Sequence, residues 1–599
     1  MKKVFFLLLV LLLFSAVTVV YSENSDELEM VVYIRADGSV EPSTVPIERD
    51  GNVYKFTGDI QASIIVERDN VVIDGSGFAL QGTGTDNYRY TIPATNFTDN
   101  KNLLHIPKYD ETILPESNNT GIYSYKQNLT IMNLKITEFW CAIELEHSSD
   151  NCIINNELTN NAQGVQIFSS SNNTISGNNI TNNSQGITLT AAYNNIFANN
   201  ITGCSEYAIK LFWSFNNISE NRITNSGCGI SFEDSICNVL RGNSFADNSH
   251  VFSLSGSTFQ EYLQDVDSSN LVNGKPVCYW IEKHDLVVPA DAGWVALVNC
   301  SRIRVEDLNL AGGQEIWLIL TTHSTLAKNV LTNSQVSIYL KEASNNTIEE
   351  NSLTDSYYGI QLEDSSNNYI RHNNITDGTM GIDLSSSTKN VIQQNTITRT
   401  SQGIRLHMSD CNNISGNNLT ANMQGIYFWC TFSIGDYSDR YNSTIIHSSS
   451  NNTISKNLIS GNDWGIYMKS TTNNTFYGNN FLNNTEQIEM DDSISFLGTF
   501  NIEPCDSRFA SVNFWDNGTE GNYWSNYTGT DSNGDGIGDT PHVLDKNNQD
   551  SYPHVSPYET SEDSNGDQTP SDLTPLAVAT IVGLPLIVLV IIYRRIKNT

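Results

Sequence analysis

From residue 359 to 380 the chain reads GIQLEDSSNNYIRHNNITDGTM, with apolar side chains at alternate places: Ile360 and Leu362 together, then Ile370 and Ile375 singly. Spacing of two puts successive side chains on opposite faces, the periodicity of short half-buried strands. Asn-Asn, Ser-Ser and Asp-Gly groups interrupt each apolar pair before a helical period can hold. The unit is therefore two or three short strands with turns between them. It restarts as GIDL at Gly381 and GIRL at Gly403, a period of 22 residues.

One such unit has too little apolar surface to fold alone, so units must stack and bury their inward residues against one another. Parallel coils about 4.8 Å apart hydrogen-bond every strand to its neighbours above and below. The pattern predicts an all-β fold, a right-handed parallel β-helix of the pectate-lyase-like kind with coils of roughly 22 residues, the hand following the rule for parallel crossovers. About eighteen coils make a rod about 85 Å long. An Asn precedes the third apolar position in coil after coil, as at Asn156, Asn178, Asn199, Asn351, Asn373 and Asn395. An amide both donates and accepts, so these read as an internal asparagine ladder at a turn.

Phase and composition divide the chain. Residues 28–82 read as an N-terminal cap and first coils, 83–120 as a loop excursion, and 121–247 as regular coils. Longer loops interrupt 248–292, coils resume over 293–525 with an insertion near 430–447, and 526–574 is an Asp/Asn/Gly-rich tail and stalk. Lys2 and Lys3 before an apolar run mark residues 1–22 as a signal peptide. Residues 575–593 are nearly all apolar and 594–599 basic, so a C-terminal transmembrane helix is expected in addition to the solenoid. The expected location is the cell membrane, single-pass, with an extracellular ectodomain and a short cytoplasmic C-terminus.

A net charge of -34, from 66 acidic and 32 basic residues, argues against a nucleic-acid partner. Asn-x-Ser/Thr sequons such as Asn128, Asn374 and Asn526 are glycosylation acceptors in an exported chain. Cys278 and Cys300 stand one period apart and are a candidate bridge between adjacent coils. Buried free thiols fit Cys204, Cys228 and Cys237 equally well.

Outward positions on the strand that opens each coil form columns. One runs Val295, Trp317, Tyr339, Gln361, Asp383, Arg405, Tyr427, and its neighbour Lys341, Glu363, Ser385, His407, Trp429. Trp317, Tyr339, Tyr427 and Trp429 are candidate platforms for sugar rings, with Tyr123, Tyr125, Phe168 and Phe212 in corresponding places earlier in the chain. The alternative is that they pack as ordinary cross-strand aromatics. Asp383 beside Arg405, with Glu363 and His407 in the next column, is the best catalytic cluster that the pattern assembles, and a surface charge ladder explains it as well. In DSNGDGIGD the residues Asp531, Asn533, Asp535 and Asp539 follow the opening of a calcium loop, although His542 stands where the twelfth-position glutamate belongs. Calcium is the one cofactor expected.

With GIQLEDSSNN and its relatives, the segment VNGKPVCYWI to ADAGWVALVNC, and NYWSNYTGTDSNGDGIGD, the chain resembles the NosD-like right-handed parallel β-helix repeat proteins of archaeal cell surfaces over Val31 to about Asp550. That family is related to carbohydrate-binding and sugar-hydrolase β-helix domains. The resemblance implies the fold directly and leaves function among three readings. The first is a noncatalytic membrane-anchored surface protein, structural or binding carbohydrate, with cell-surface glycans or other surface proteins as partners. The second is a polysaccharide lyase or hydrolase on the same fold. The third is a copper-related accessory protein, for which no compact set of Cys, Met and His is visible.

Overall fold

A computed structural model describes residues 30–84, 119–190, 193–256, 258–434, 444–491, 494–496, 500–502 and 511–559. Each regular coil contains three strands, as in Tyr358–Glu363, Tyr369–Arg371 and Asn374–Thr376. Every strand pairs in parallel with its counterpart one coil away, so Ile360 lies against Ile338 and Ile382, and Ile382 against Ile404. Ile360, Ile382 and Ile404 are fully buried and belong to one continuous core. The parallel β-helix with 22-residue coils is thus the architecture of the chain.

Polar turns survive inside because their amides form ladders. Asn373 donates from both its backbone N and its Nδ2 to Asn395 Oδ1, at 3.0 and 2.9 Å, and also from Nδ2 to the Ile348 carbonyl at 2.9 Å. The file that the sequence marked runs on through Asn417, Asn457, Asn479 and Asn522. A second ladder, Asn346–Asn368–Asn390–Asn412–Asn452–Asn474, fills another turn. Where glycine opens a coil the space is tight: a Cβ on Gly381 would lie 2.5 Å from both the Gly403 carbonyl oxygen and Ile397 Cγ2.

The body is two solenoids in tandem, where the sequence predicted a single rod. The third sheet of the first solenoid ends at Leu271–Val272, which turns back antiparallel onto Lys275–Ile281. That strand then starts the first sheet of the second solenoid, pairing Val277 with Trp294 after only 17 residues. Here Val295, Leu297 and Ile316 face the second core, while Trp294, Ala296, Val298 and Trp317 face the first. Across the junction His250 Nδ1 lies 3.3 Å from Glu315 Oε1, a fully buried carboxylate that also accepts from Trp317 Nε1 at 2.9 Å.

Several expectations change. Cys278 and Cys300 are free thiols: the 17-residue coil sets Cys278 beside Val295, and the Cys300 thiol reaches the Trp280 carbonyl at 3.3 Å. The tail does not leave the solenoid at 526. Asn548 extends the second ladder by accepting from Asn513 N at 3.0 Å, and buried Asp550 accepts from Trp524 Nε1 at 2.8 Å, closing the core over Trp515 and Trp524. The all-β fold with an added transmembrane helix is corrected as well, because among the described residues no helix is long and apolar enough to cross a membrane. No membrane partner and no single-pass orientation is therefore supported among the described residues. Residues 575–593, which carried both, lie outside the described residues, as do the signal segment 1–22 and the greater part of the loop excursion.

Candidate functional site

The outward face of the first sheet in the second solenoid brings most of the sequence candidates together. Register places Tyr339, Gln361, Asp383, Arg405, Tyr427 and Tyr467 in one file, with Lys341, Glu363, Ser385, His407 and Trp429 in the next. Parallel in-register pairing makes these files. A period that returns each outward side chain to the same azimuth therefore converts residues 22 apart into neighbours.

Asp383 is the centre of the face. It is 0% exposed and holds Arg405, 11% exposed, through paired contacts of 2.5 Å from Nε and 2.9 Å from Nη2. Burial lifts the Asp383 carboxyl above its ordinary value, against the Arg405 guanidinium, which pulls it down. The guanidinium carbon lies 5.4 Å from the centre of the Trp429 ring, a cation–π contact. The His407 ring is 5.6 Å from Trp429. Farther along the file the Tyr427 and Tyr467 rings meet edge to face at 5.5 Å, and Trp464 packs on Tyr467 at 5.9 Å. In the other direction Glu363 accepts from Tyr339 Oη at 2.6 Å and pairs with Lys341 at 2.7 Å.

One residue leaves the file and another is covered in its place within it. Val295 faces the second core, since it pairs with Ile316 and the slot beside Trp317 belongs to Ala296. Trp317 is 6% exposed and packs edge to face on Trp294 at 5.1 Å within the first core, so it offers no platform to a ligand. Both changes have one cause, the shortened coils at the junction. Tyr339 is half-buried against Trp317 at 5.6 Å, whereas Trp429 is exposed.

In the tail, Asp531, Asn533, Asp535 and Asp539 fall in one tight turn. Asp531 accepts from the backbone of Gly534 at 2.7 Å and of Gly536 at 2.8 Å, Asn533 accepts from Asp535 N at 3.0 Å, and Asp535 accepts from Ile537 N at 2.9 Å. Asp539 turns instead to Ser532 Oγ at 2.6 Å. These oxygens are hard donors of the kind calcium takes, and in this arrangement they brace the turn's own backbone. Among the described residues no group of three or more His, Cys, Asp and Glu is placed to hold a metal ion.

A second polar site, on the first sheet of the first solenoid, was missed by pattern reading. Glu144 and Glu146 project from the strand Cys141–Glu146, with Tyr123 one coil below Glu144 and Gln166 one coil above. Thr120 Oγ1 donates to Glu144 Oε2 at 3.2 Å, and Tyr123 Oη donates to Glu146 Oε2 at 3.0 Å. Burial, with the Glu146 charge adding to it and the Thr120 hydrogen bond opposing, lifts Glu144 to about 7. The signal was legible as ELE, two carboxylates two apart on one strand. Similar pairs recur in any acidic chain, so the motif alone marks nothing.

The family model for NosD, described as a periplasmic copper-binding protein, matches residues 65–278, 297–433 and 431–529. No curated protein matches the chain. Among solved structures, the periplasmic alginate epimerase AlgG is 13% identical, the match covering 61% of this chain and 76% of that one, with a TM-score of 0.23. The alginate lyase AlyF-OU02 is 15% identical over 53% of this chain and 74% of its own, with a TM-score of 0.25. The A-module of a mannuronan C-5 epimerase from Azotobacter vinelandii is 11% identical over 78% and 88%, with a TM-score of 0.19. None superposes closely enough to carry a site across. The membrane anchor of the expected noncatalytic surface protein has no support among the described residues, where no helix is long and apolar enough to cross a membrane.

Proposed function

On the premise that the chain belongs to the NosD family, we propose that it is a polysaccharide-cleaving β-helix of hydrolase or lyase type. Its glycan runs along the outward face of the second solenoid's first sheet. The observation that carries this reading is Arg405, locked by buried Asp383 against Trp429 in a file continued by Tyr427 and Tyr467. Neighbouring places in that file are about 4.8 Å apart, so successive sugar rings meet successive side chains. Aromatic faces take the apolar faces of sugars, and a guanidinium fixed by its own carboxylate offers its remaining N–H groups to hydroxyl or carboxylate oxygens with little entropy left to lose.

This face binds, and its geometry leaves little for acid–base chemistry. Asp383 has both carboxylate oxygens committed to Arg405, and Glu363 is held by Tyr339 and Lys341. Copper, the metal in the family's description, has no convergent ligand set among the described residues, and no step here runs through it.

The test is a panel of neutral and uronate polysaccharides, read by new reducing ends and by the ultraviolet absorbance of unsaturated products. Trp429→Ala and Arg405→Ala should raise KM roughly tenfold while kcat changes little, as for groups that bind ground and transition states alike. A panel with no cleavage and no retained glycan refutes the reading. So does cleavage whose KM is indifferent to both substitutions.

A further inference from the structure

Glu144 and Glu146 lie outside the face just described and have no part in it. Two facts set them apart from an ordinary acidic surface pair. The first is their unequal surroundings. Glu146 accepts the Tyr123 hydroxyl at 3.0 Å, while Glu144 sits between Thr120, Tyr123 and Gln166, each of them buried, and burial lifts it to about 7. The second is Gln166, one coil above Glu144 and 5% exposed, whose buried Oε1 has no hydrogen-bond partner. A buried amide oxygen left unpaired costs stability unless a donor meets it, and both a carboxylic acid O–H and a ligand hydroxyl are donors. Phe168 stands one coil above Glu146 and provides an apolar wall beside the pair.

We propose that this pair is a glycosidase centre, with Glu144 as general acid and Glu146 as general base, acting on an uncharged, hydroxyl-rich polysaccharide. It rests on the glycan-cleaving reading above and assigns that reading its reacting groups. The Glu144 O–H proton passes to the glycosidic oxygen as the bond from that oxygen to the anomeric carbon breaks. Glu146 takes a proton from water, and the water oxygen bonds to the anomeric carbon. The products are an alcohol and a hemiacetal, and solvent returns the proton to Glu144 and removes the one on Glu146. Two residues apart along a strand, their Cα atoms are about 6.6 Å apart, and carboxyls held at that spacing leave room for the attacking water, so the proposed outcome is inversion of the anomeric configuration. A net charge of -34 disfavours a polyanion and leaves an uncharged glycan unhindered.

The experiment uses the full chain with xylan, mannan, starch, β-1,3-glucan and carboxyl-free cellulose oligomers, together with dinitrophenyl glycosides of the same sugars. Glu144→Gln should cut polysaccharide hydrolysis at least 100-fold and spare the dinitrophenyl glycosides, whose leaving group needs no proton. Glu146→Gln should abolish both. Each variant should bind the glycan as tightly as wild type, whereas Trp429→Ala and Arg405→Ala weaken binding roughly tenfold, which separates failure of this centre from failure of the binding face. Product NMR should show the inverted anomer first. Wild-type rates in either glutamine variant with circular dichroism unchanged, retention of configuration, or no hydrolysis of any neutral substrate would overturn the proposal.

Discussion

Two aspartate–arginine pairs on this solenoid share a geometry and differ in burial, which makes Asp383→Ala an informative perturbation. Asp383 grips Arg405 one coil away at 2.5 and 2.9 Å, with side chains 0% and 11% exposed. Asp377 grips Arg399, also one coil away, at 2.6 and 2.7 Å, with side chains 37% and 59% exposed. For the exposed pair, water screens the attraction and solvates whichever partner remains, so Asp377→Ala should cost far less than the loss of Asp383. For the buried pair, removal of Asp383 strands a guanidinium among Tyr358, Tyr427 and Trp429 with no charge to meet it, and the expected cost is about 3–5 kcal/mol. Urea unfolding followed by tryptophan fluorescence, at matched m-values, gives both numbers. Asp383→Asn should fall between them, because it keeps the volume and one acceptor. Equal losses for Asp383→Ala and Asp377→Ala would refute the argument that Arg405 is fixed by a desolvated partner, and with it the rigidity on which glycan binding rests.

Asn395→Ala removes two acceptor contacts, from Asn373 N and Nδ2, and three donor contacts, to the Ile370 and Gln393 carbonyls and Asn417 Oδ1. At up to about 1 kcal/mol each, it should cost about 3–5 kcal/mol, against less than about 0.5 kcal/mol for exposed Asn374→Ala. Glu144 predicts a pH effect. Its folded value of about 7 lies above the unfolded carboxylate's ~4.3, so its contribution is fully present below the unfolded value and is lost as pH rises through about 7. Stability should fall by up to about 3 kcal/mol between pH 5 and 8, and Glu144→Gln should flatten that slope in thermal melts taken across the range.

Much of this molecule is local. The alternation in GIQLEDSSNN fixes strand and turn, the 22-residue restart fixes the stack, and Ile360, Ile382 and Ile404 share an inward file because nothing intervenes to change the count. Wherever the count holds, outward neighbours are legible too, which is why Asp383 meets Arg405 and His407 lies beside Trp429. The sequence cannot show what happens where the count breaks. Between Val277 and Trp294 the coil shortens to 17 residues, so Val295 turns inward, Trp317 is covered by the first core, and Cys278 and Cys300 miss each other. Chemistry followed the same division. A column states which side chains are adjacent, whereas the burial that holds Glu144 near neutrality and leaves Gln166 Oε1 unpaired depends on every group packed around them, and only the folded chain brings those groups together.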